Sequence, residues 1–191
     1  MVRVFFKQRF CTITAWQKVA AAICFLGAAI TGNAFAQERP APTVPQIAEF
    51  DTWNKICVTP PGTPTQRCEL VQNTVGKNRP DIAVRVSFIK IPENDRTSDN
   101  GGAMLRIKTP IRVELPLGVS IFVEDDKNLG TMPYQRCSGD NCYAEAFVNE
   151  ELMQLFLDGK TATVIVYPSQ EEGVGSVINL AGFKAAYKAL P

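Results

Sequence analysis

The amino-acid sequence predicts a mainly β protein, an antiparallel β-sandwich of jelly-roll-like type with one or two short helices. Two observations lead to this prediction. Short segments rich in β-branched and aromatic residues follow one another along the chain, with proline, glycine and asparagine turns between them, as is typical of sandwiches and barrels. Two cysteine pairs, Cys57 with Cys68 and Cys137 with Cys142, each flank a turn. We therefore expect two hairpins that are clipped by disulfides.

The first 36 residues have the pattern of a secretory signal peptide. Basic residues precede an apolar run at residues 19–30, and Ala34-Phe35-Ala36 provides a cleavage site. The run is shorter than the roughly twenty residues that span a bilayer, which argues against a membrane anchor. We therefore predict a signal peptide at residues 1–36, export across the inner membrane, and a mature chain without a transmembrane segment.

The rest of the chain divides into an arm and one domain. Residues 37–48 are rich in proline and predict an extended N-terminal arm, while residues 49–191 are long enough for a single domain with a buried core. Since four of the 20 basic residues lie in the leader, 16 remain to balance the 19 acidic residues of the mature chain. This mildly acidic balance favours neither nucleic-acid binding nor electrostatic adhesion to anionic membranes.

Four cysteines remain once the leader is removed, and an even number in an exported chain favours disulfides. Three connectivities are formally possible, but proximity in the sequence favours Cys57–Cys68 and Cys137–Cys142. The alternative is a zinc site built from all four cysteines. Neither spacing is C-x2-C, so we predict structural disulfides rather than a metal site.

The elements of the domain are predicted from alternating apolar residues and from turn residues. A bulge is expected near Phe88 and Ile89, where the alternation changes phase. Asn149 is a good N-cap for a helix that ends at Gly159, and residues 182–190 form a second short helix. The predicted strands are 53–58, 67–72, 82–88, 103–108, 111–115, 119–124, a strand through Tyr134, 143–148, 161–167 and 177–180.

The sequence offers little catalytic chemistry. It contains no histidine, which excludes the usual serine and cysteine triads and histidine metal sites. The cluster Glu124-Asp125-Asp126 is interpreted as a solvated turn, since functional carboxylates need a cleft. A thiol–disulfide oxidoreductase that uses Cys137 and Cys142 is a less favoured alternative, because their spacing is not that of C-x-x-C enzymes. We predict no enzymatic activity, no metal and no cofactor.

Tyr134, Arg136 and Tyr143 surround the second cysteine pair and are the candidate partner-contact residues. Tyrosine and arginine are common anchors at protein interfaces, although Tyr134 and Tyr143 can equally pack against each other across the hairpin. The leading hypothesis is therefore a protein that acts by binding another protein. A carrier of a small ligand, with a cavity inside the sandwich, is the alternative.

Several short motifs occur in order along the chain. They are Trp53 with Cys57, Cys68 with Val71-Gln72, Leu105-Arg106-Ile107 with Thr109-Pro110, Leu115 to Val119, Pro133 to Cys137, Gly139, Cys142, Ala144, Leu152, Leu155, Gly159, and Leu180 to Ala186. This series resembles that of the invasion-associated locus B proteins of Gram-negative alphaproteobacteria, although the proline-rich stretch 60–64 departs from the family. The resemblance implies an exported β-sandwich of the periplasm or outer membrane, without established catalytic residues. It also implies that an envelope or host protein is the partner, since some members are linked to host-cell entry.

Overall fold

The structure is a computed structural model that describes residues 44–96, 102–124 and 126–191. All of these residues fall within one compact unit. The predicted signal peptide, residues 1–36, lies outside the described residues. So does most of the predicted arm.

Eleven strands and two α-helices make up the described part of the chain. Two short 3-10 turns, Glu93–Asp95 and Leu115–Leu117, lie between them. In order, the elements are β1 Gln46–Phe50, β2 Trp53–Val58, β3 Arg67–Gly76, β4 Arg79–Lys90, β5 Ala103–Pro110, β6 Val119–Val123, β7 Lys127–Met132, β8 Tyr134–Ser138, β9 Asn141–Val148, α1 Glu150–Asp158, β10 Thr161–Ser169, β11 Glu172–Asn179 and α2 Phe183–Lys188.

The strands form two antiparallel sheets, which confirms the predicted β-sandwich. The larger sheet has seven strands in the order β1-β2-β3-β4-β5-β9-β8, and the smaller has four in the order β11-β10-β6-β7. One apolar cluster fills the space between them and includes Val84 and Leu105 from the larger sheet and Ile121 and Val164 from the smaller. The alternation of buried and exposed residues along β5 shows how each strand contributes one face to this core.

Two predictions about strands are wrong. Residues 111–115 are a loop that ends in a 3-10 turn, because the chain leaves the larger sheet after Pro110 and crosses to the smaller one. There the amide of Glu114 donates to the carbonyl of Tyr167. The bulge near Phe88 is absent, since β4 continues in unbroken register with β5 as far as Lys90.

Two further strands were not predicted. Strand β1 begins at Gln46, within the segment expected to be an arm, and pairs with β2 through a tight turn at Asp51 and Thr52. Strand β7 begins at Lys127, directly after the turn predicted at Glu124-Asp125-Asp126. Both are edge strands with polar residues, which weakens the period-2 signal on which sequence prediction depends.

A buried amide joins the two sheets. The side-chain amide of Gln72, in β3, donates to the backbone carbonyl of Asn179 at 2.8 Å. It also accepts a hydrogen bond from the backbone N–H of Asn179 at 2.8 Å. The indole nitrogen of Trp53 donates to the same carbonyl at 2.9 Å. Gln72 is 6% exposed and Trp53 is fully buried, so these bonds form largely out of contact with water.

Aromatic rings pack beside this amide and attach the helices. The ring of Phe183, in α2, lies 5.0 Å from that of Trp53 and 4.7 Å from that of Phe88. Phe156, in α1, meets Phe88 edge-on at 5.1 Å. As predicted, Asn149 caps α1, its side chain accepting from the amide of Leu152 at 2.8 Å.

Gly182 precedes α2 in a left-handed conformation, with φ of 77°. A Cβ at this position would lie 2.4 Å from the carbonyl oxygen of Phe50. Gly62 has nearly the same φ, 80°, but open space around it.

We expect Gly182→Ala to lower the free energy of unfolding by about 2–5 kcal/mol, since backbone strain and overpacking add. Gly62→Ala is expected to lower it by about 1 kcal/mol, because only backbone strain acts there. Chemical denaturation of both variants would contradict this account if the two losses were equal.

The carboxylate of Glu124 is a structural cap. It accepts hydrogen bonds from the amides of Lys160 and Thr161, the second at 3.2 Å, and so ties the end of β6 to the start of β10. These two bonds hold the pKa of Glu124 below its ordinary value of 4.5. Glu124 and Asp126 are exposed, in agreement with a solvated turn, while Asp125 lies outside the described residues; the capping role of Glu124 was not predicted.

This cap predicts a pH-dependent stability. Because the pKa of Glu124 is lower in the folded state than in the unfolded state, its contribution is present at neutral pH and is lost as the pH falls through the folded pKa. We expect Glu124→Gln to lower Tm at neutral pH and to match the unsubstituted protein in acid. Glu171→Gln, at an exposed turn, is the control. A Tm difference for Glu124→Gln that persists unchanged at low pH would contradict the assignment.

Candidate functional site

Both predicted disulfides are present. Cys57 bonds to Cys68 with an S–S distance of 2.02 Å, and Cys137 bonds to Cys142 at 1.98 Å. In each case the two residues are directly opposed in register, the first pair on β2 and β3 and the second on β8 and β9. The disulfides therefore clip two hairpins, as the sequence predicts. They lie at separate positions in the larger sheet, with two strands, β4 and β5, between the two hairpins.

The candidate contact residues Arg136 and Tyr143 are neighbours on the outer face of the larger sheet, the face that points away from the core. They are paired in register across β8 and β9, and the guanidinium carbon of Arg136 lies 4.1 Å from the centre of the Tyr143 ring. This is a cation–π contact. It fixes the arginine over the ring and leaves half of the Arg136 side chain exposed.

Glu145 completes this arrangement. Its carboxylate accepts from the guanidinium of Arg106 at 2.7 Å and lies 3.9 Å from that of Arg136. The Glu145 side chain is only 22% exposed, so the pair with Arg106 is screened less than a fully exposed ion pair would be. The three charged groups are thereby held in a defined geometry beside Tyr143.

The structure places Tyr134 apart from the other two candidates. A bulge in β8 between Tyr134 and Arg136 turns Tyr134 to the inner face, opposite Ala144. There it packs against the core, and its hydroxyl lies 3.2 Å from that of Thr109. Burial raises the pKa of Tyr134. Tyr134 and Tyr143 therefore do not form a cross-strand pair.

Sequence reasoning missed Phe147. It lies in β9 on the same face as Tyr143 and Glu145, at alternate positions, and opposite Met104 of β5. Its side chain is 55% exposed, which is unusual for a phenylalanine. The signal was available in the alternation of residues 143, 145 and 147, once β9 is given its correct register.

A second ion pair stiffens the centre of the outer face. Arg85 on β4 lies 3.0 Å from Glu69 on β3. The register places the pair Val71 and Ser87 between these two residues, and both are buried, at 1% and 3% exposure. The charged side chains therefore shield the sheet beneath them, and the outer face presents a fixed surface. Its aromatic and guanidinium groups are of the kinds that anchor protein interfaces.

The described residues show neither a metal centre nor a membrane-spanning helix. No group of three or more potential metal-ligating side chains occurs among residues 44–96, 102–124 and 126–191. Within the same ranges, every helix is too short or too polar to cross a bilayer.

Comparison with known proteins identifies the family. A family model described as invasion associated locus B (IalB) protein matches residues 53–191. Among curated proteins, no sequence matches this chain. The crystal structure of invasion associated protein B from Bartonella henselae is similar in fold, with a TM-score of 0.57 and 13% sequence identity over 75% of this chain and 92% of that chain. Since the family model covers well over half of the chain, this protein belongs to the invasion-associated locus B family.

Proposed function

We propose that this protein is an exported, non-catalytic protein of the cell envelope that binds another protein through the outer face of its larger sheet. The observation that carries the proposal is the aromatic and guanidinium group formed by Arg136, Tyr143 and Phe147, in which Arg136 and Phe147 are exposed and Tyr143 is partly buried. Arginine and aromatic residues dominate the binding energy of protein interfaces. Arg136 and Tyr143 are held by their cation–π contact and by Glu145, which Arg106 in turn positions, so little of their side-chain entropy is lost on binding.

Export is supported by the leader sequence and by the two disulfides, which persist in oxidising compartments outside the cytoplasm. We place the protein in the periplasm or at the outer membrane. The partner is a protein of the envelope or, as the name of the family suggests, of a host cell.

The interior of the sandwich supports surface binding better than a small-ligand carrier. Large side chains of both sheets and both helices fill it, among them the fully buried Trp53 and Phe183. The exposed phenylalanine on the outer face has no such internal role. We therefore assign binding to the surface.

Site-specific photo-crosslinking in living cells tests the proposal. A photoreactive phenylalanine analogue at position 147 is expected to give a discrete adduct with one protein, which mass spectrometry identifies. Val177 is the matched control, because it is equally exposed, at 55%, but lies on β11 in the smaller sheet. Its crosslinks are expected to be weak and heterogeneous.

Substitution then tests the role of the identified contact. Tyr143→Ala is expected to weaken binding of the purified partner by about tenfold or more, as for an interface anchor. The Val177→Ala variant is expected to bind as the unsubstituted protein does. Adducts of equal pattern at positions 147 and 177, or undiminished binding by Tyr143→Ala, would refute the proposal.

A further inference from the structure

The larger sheet contains a split between two neighbouring strands. Strand β4 pairs with β3 from Arg79 to Phe88, but it pairs with β5 only from Arg85 to Lys90. Beyond that point β5 continues along β9 as far as Pro110. Within the described residues, the edge of Arg79–Val84 that faces away from β3 thus has no strand partner. Such an edge can hydrogen-bond an extended chain.

A groove of about 460 Å³ lies on the outer face at this split. Ala83, whose small side chain leaves the space above it open, lies between Val75 on one side and Pro110 and Asn141 on the other. Lys108 and Arg85 also line the groove, which therefore has apolar walls and two cations.

The two cations differ in their partners. Arg85 and Lys108 are directly opposed in register, an arrangement of like charges that is unfavourable in a sheet. Arg85 is drawn to Glu69 at 3.0 Å. Lys108 is only half-exposed, yet it has no hydrogen-bond or ion-pair partner in the described part of the chain. Its positive charge is therefore uncompensated.

The cross-strand row of residues that contains Lys108 continues to Tyr143 and Arg136, the proposed partner contacts. Across β5, β9 and β8, Lys108 is opposite Tyr143, and Tyr143 is opposite Arg136. The groove and the aromatic group thus belong to one continuous face. A partner seated on Phe147 and Tyr143 would have a neighbouring segment within reach of the groove.

We propose that this groove binds an extended acidic segment of the partner protein, with a carboxylate paired to Lys108 and the backbone lying along the free edge of β4. The inference rests on the proposed function, since it specifies the chemistry of the same partner. The charge complementarity is local, because the mature chain as a whole is mildly acidic. A basic segment would face two cations and would be repelled.

Titration with a synthetic peptide tests this inference. The probe is a short peptide of alternating Glu and Thr, added to ¹⁵N-labelled protein produced from the full-length chain, with Gln–Thr and Lys–Thr peptides for comparison. We expect amide shifts confined to the groove, around Ala83, Arg85, Lys108 and Asn141, with the Glu–Thr peptide alone. Binding is expected to weaken as salt is added.

Two variants make the result specific. Lys108→Gln should weaken binding of the Glu–Thr peptide about fivefold, the effect of losing one ion pair. Ala83→Leu should abolish it by filling the groove. Lys127→Gln, on the smaller sheet, should leave it unchanged. Unaltered affinity in Lys108→Gln, equal binding of the Lys–Thr peptide, or full competition by inorganic phosphate at equal ionic strength would each overturn the inference.

The inference and the proposed function fail separately. A discrete crosslink at position 147 together with absent peptide binding would refute the groove assignment alone. Absence of that crosslink would refute the proposed function, whatever the peptide does.

Discussion

The rest of the structure depends on the paired hydrogen bonds between the Gln72 amide and the backbone of Asn179. These bonds link β3 of the larger sheet to the end of β11 in the smaller. The same carbonyl also receives the indole of Trp53 and the hydroxyl of Thr52. Leaving a buried polar group without a partner costs about 1–3 kcal/mol. This polar junction therefore fixes the relative position of the two sheets. The apolar contacts around it do not specify that position alone.

That junction also sets the position of the helices. Gly182 approaches the carbonyl of Phe50 too closely for any side chain, and the residue after it, Phe183, packs against both Trp53 and Phe88. The inner face of the larger sheet is consequently occupied by the core and by α2. Its outer face takes no part in this closure. The two faces of one sheet thus serve different purposes, stability on the inside and, as we propose, recognition on the outside.

Much of this architecture could be predicted from the sequence. Alternating apolar residues located most core strands, and the cysteine pairs located two hairpins, because both signals are local. Strand β7 and the loop at 111–115 could not be predicted, since each depends on where the chain crosses between sheets. The candidate site shows the same limit. Tyr134 and Arg136 would share a face in a regular strand, but the bulge between them separates them.

The family resemblance and the physical analysis of the outer face address different questions. Membership of the invasion-associated locus B family establishes the kind of protein and agrees with the observed sandwich. It assigns no residue to a partner. The assignment of Arg136, Tyr143 and Phe147 instead rests on the exposure of Arg136 and Phe147, on the cation–π contact between Arg136 and Tyr143, and on the position of all three on the outer face. The groove beside the free edge of β4 adds, as we propose, a preference for acidic segments to that surface.

Hydroxyl-radical footprinting tests the central claim most directly, because it reports the solvent exposure of individual side chains in place. The oxidation rates of Tyr143, Phe147 and Val177 would be measured in intact cells and in the purified protein. Our account predicts that Tyr143 and Phe147 are protected in cells, while Val177 on the smaller sheet is oxidised equally in both. Protection of Val177 without protection of Phe147 would contradict it.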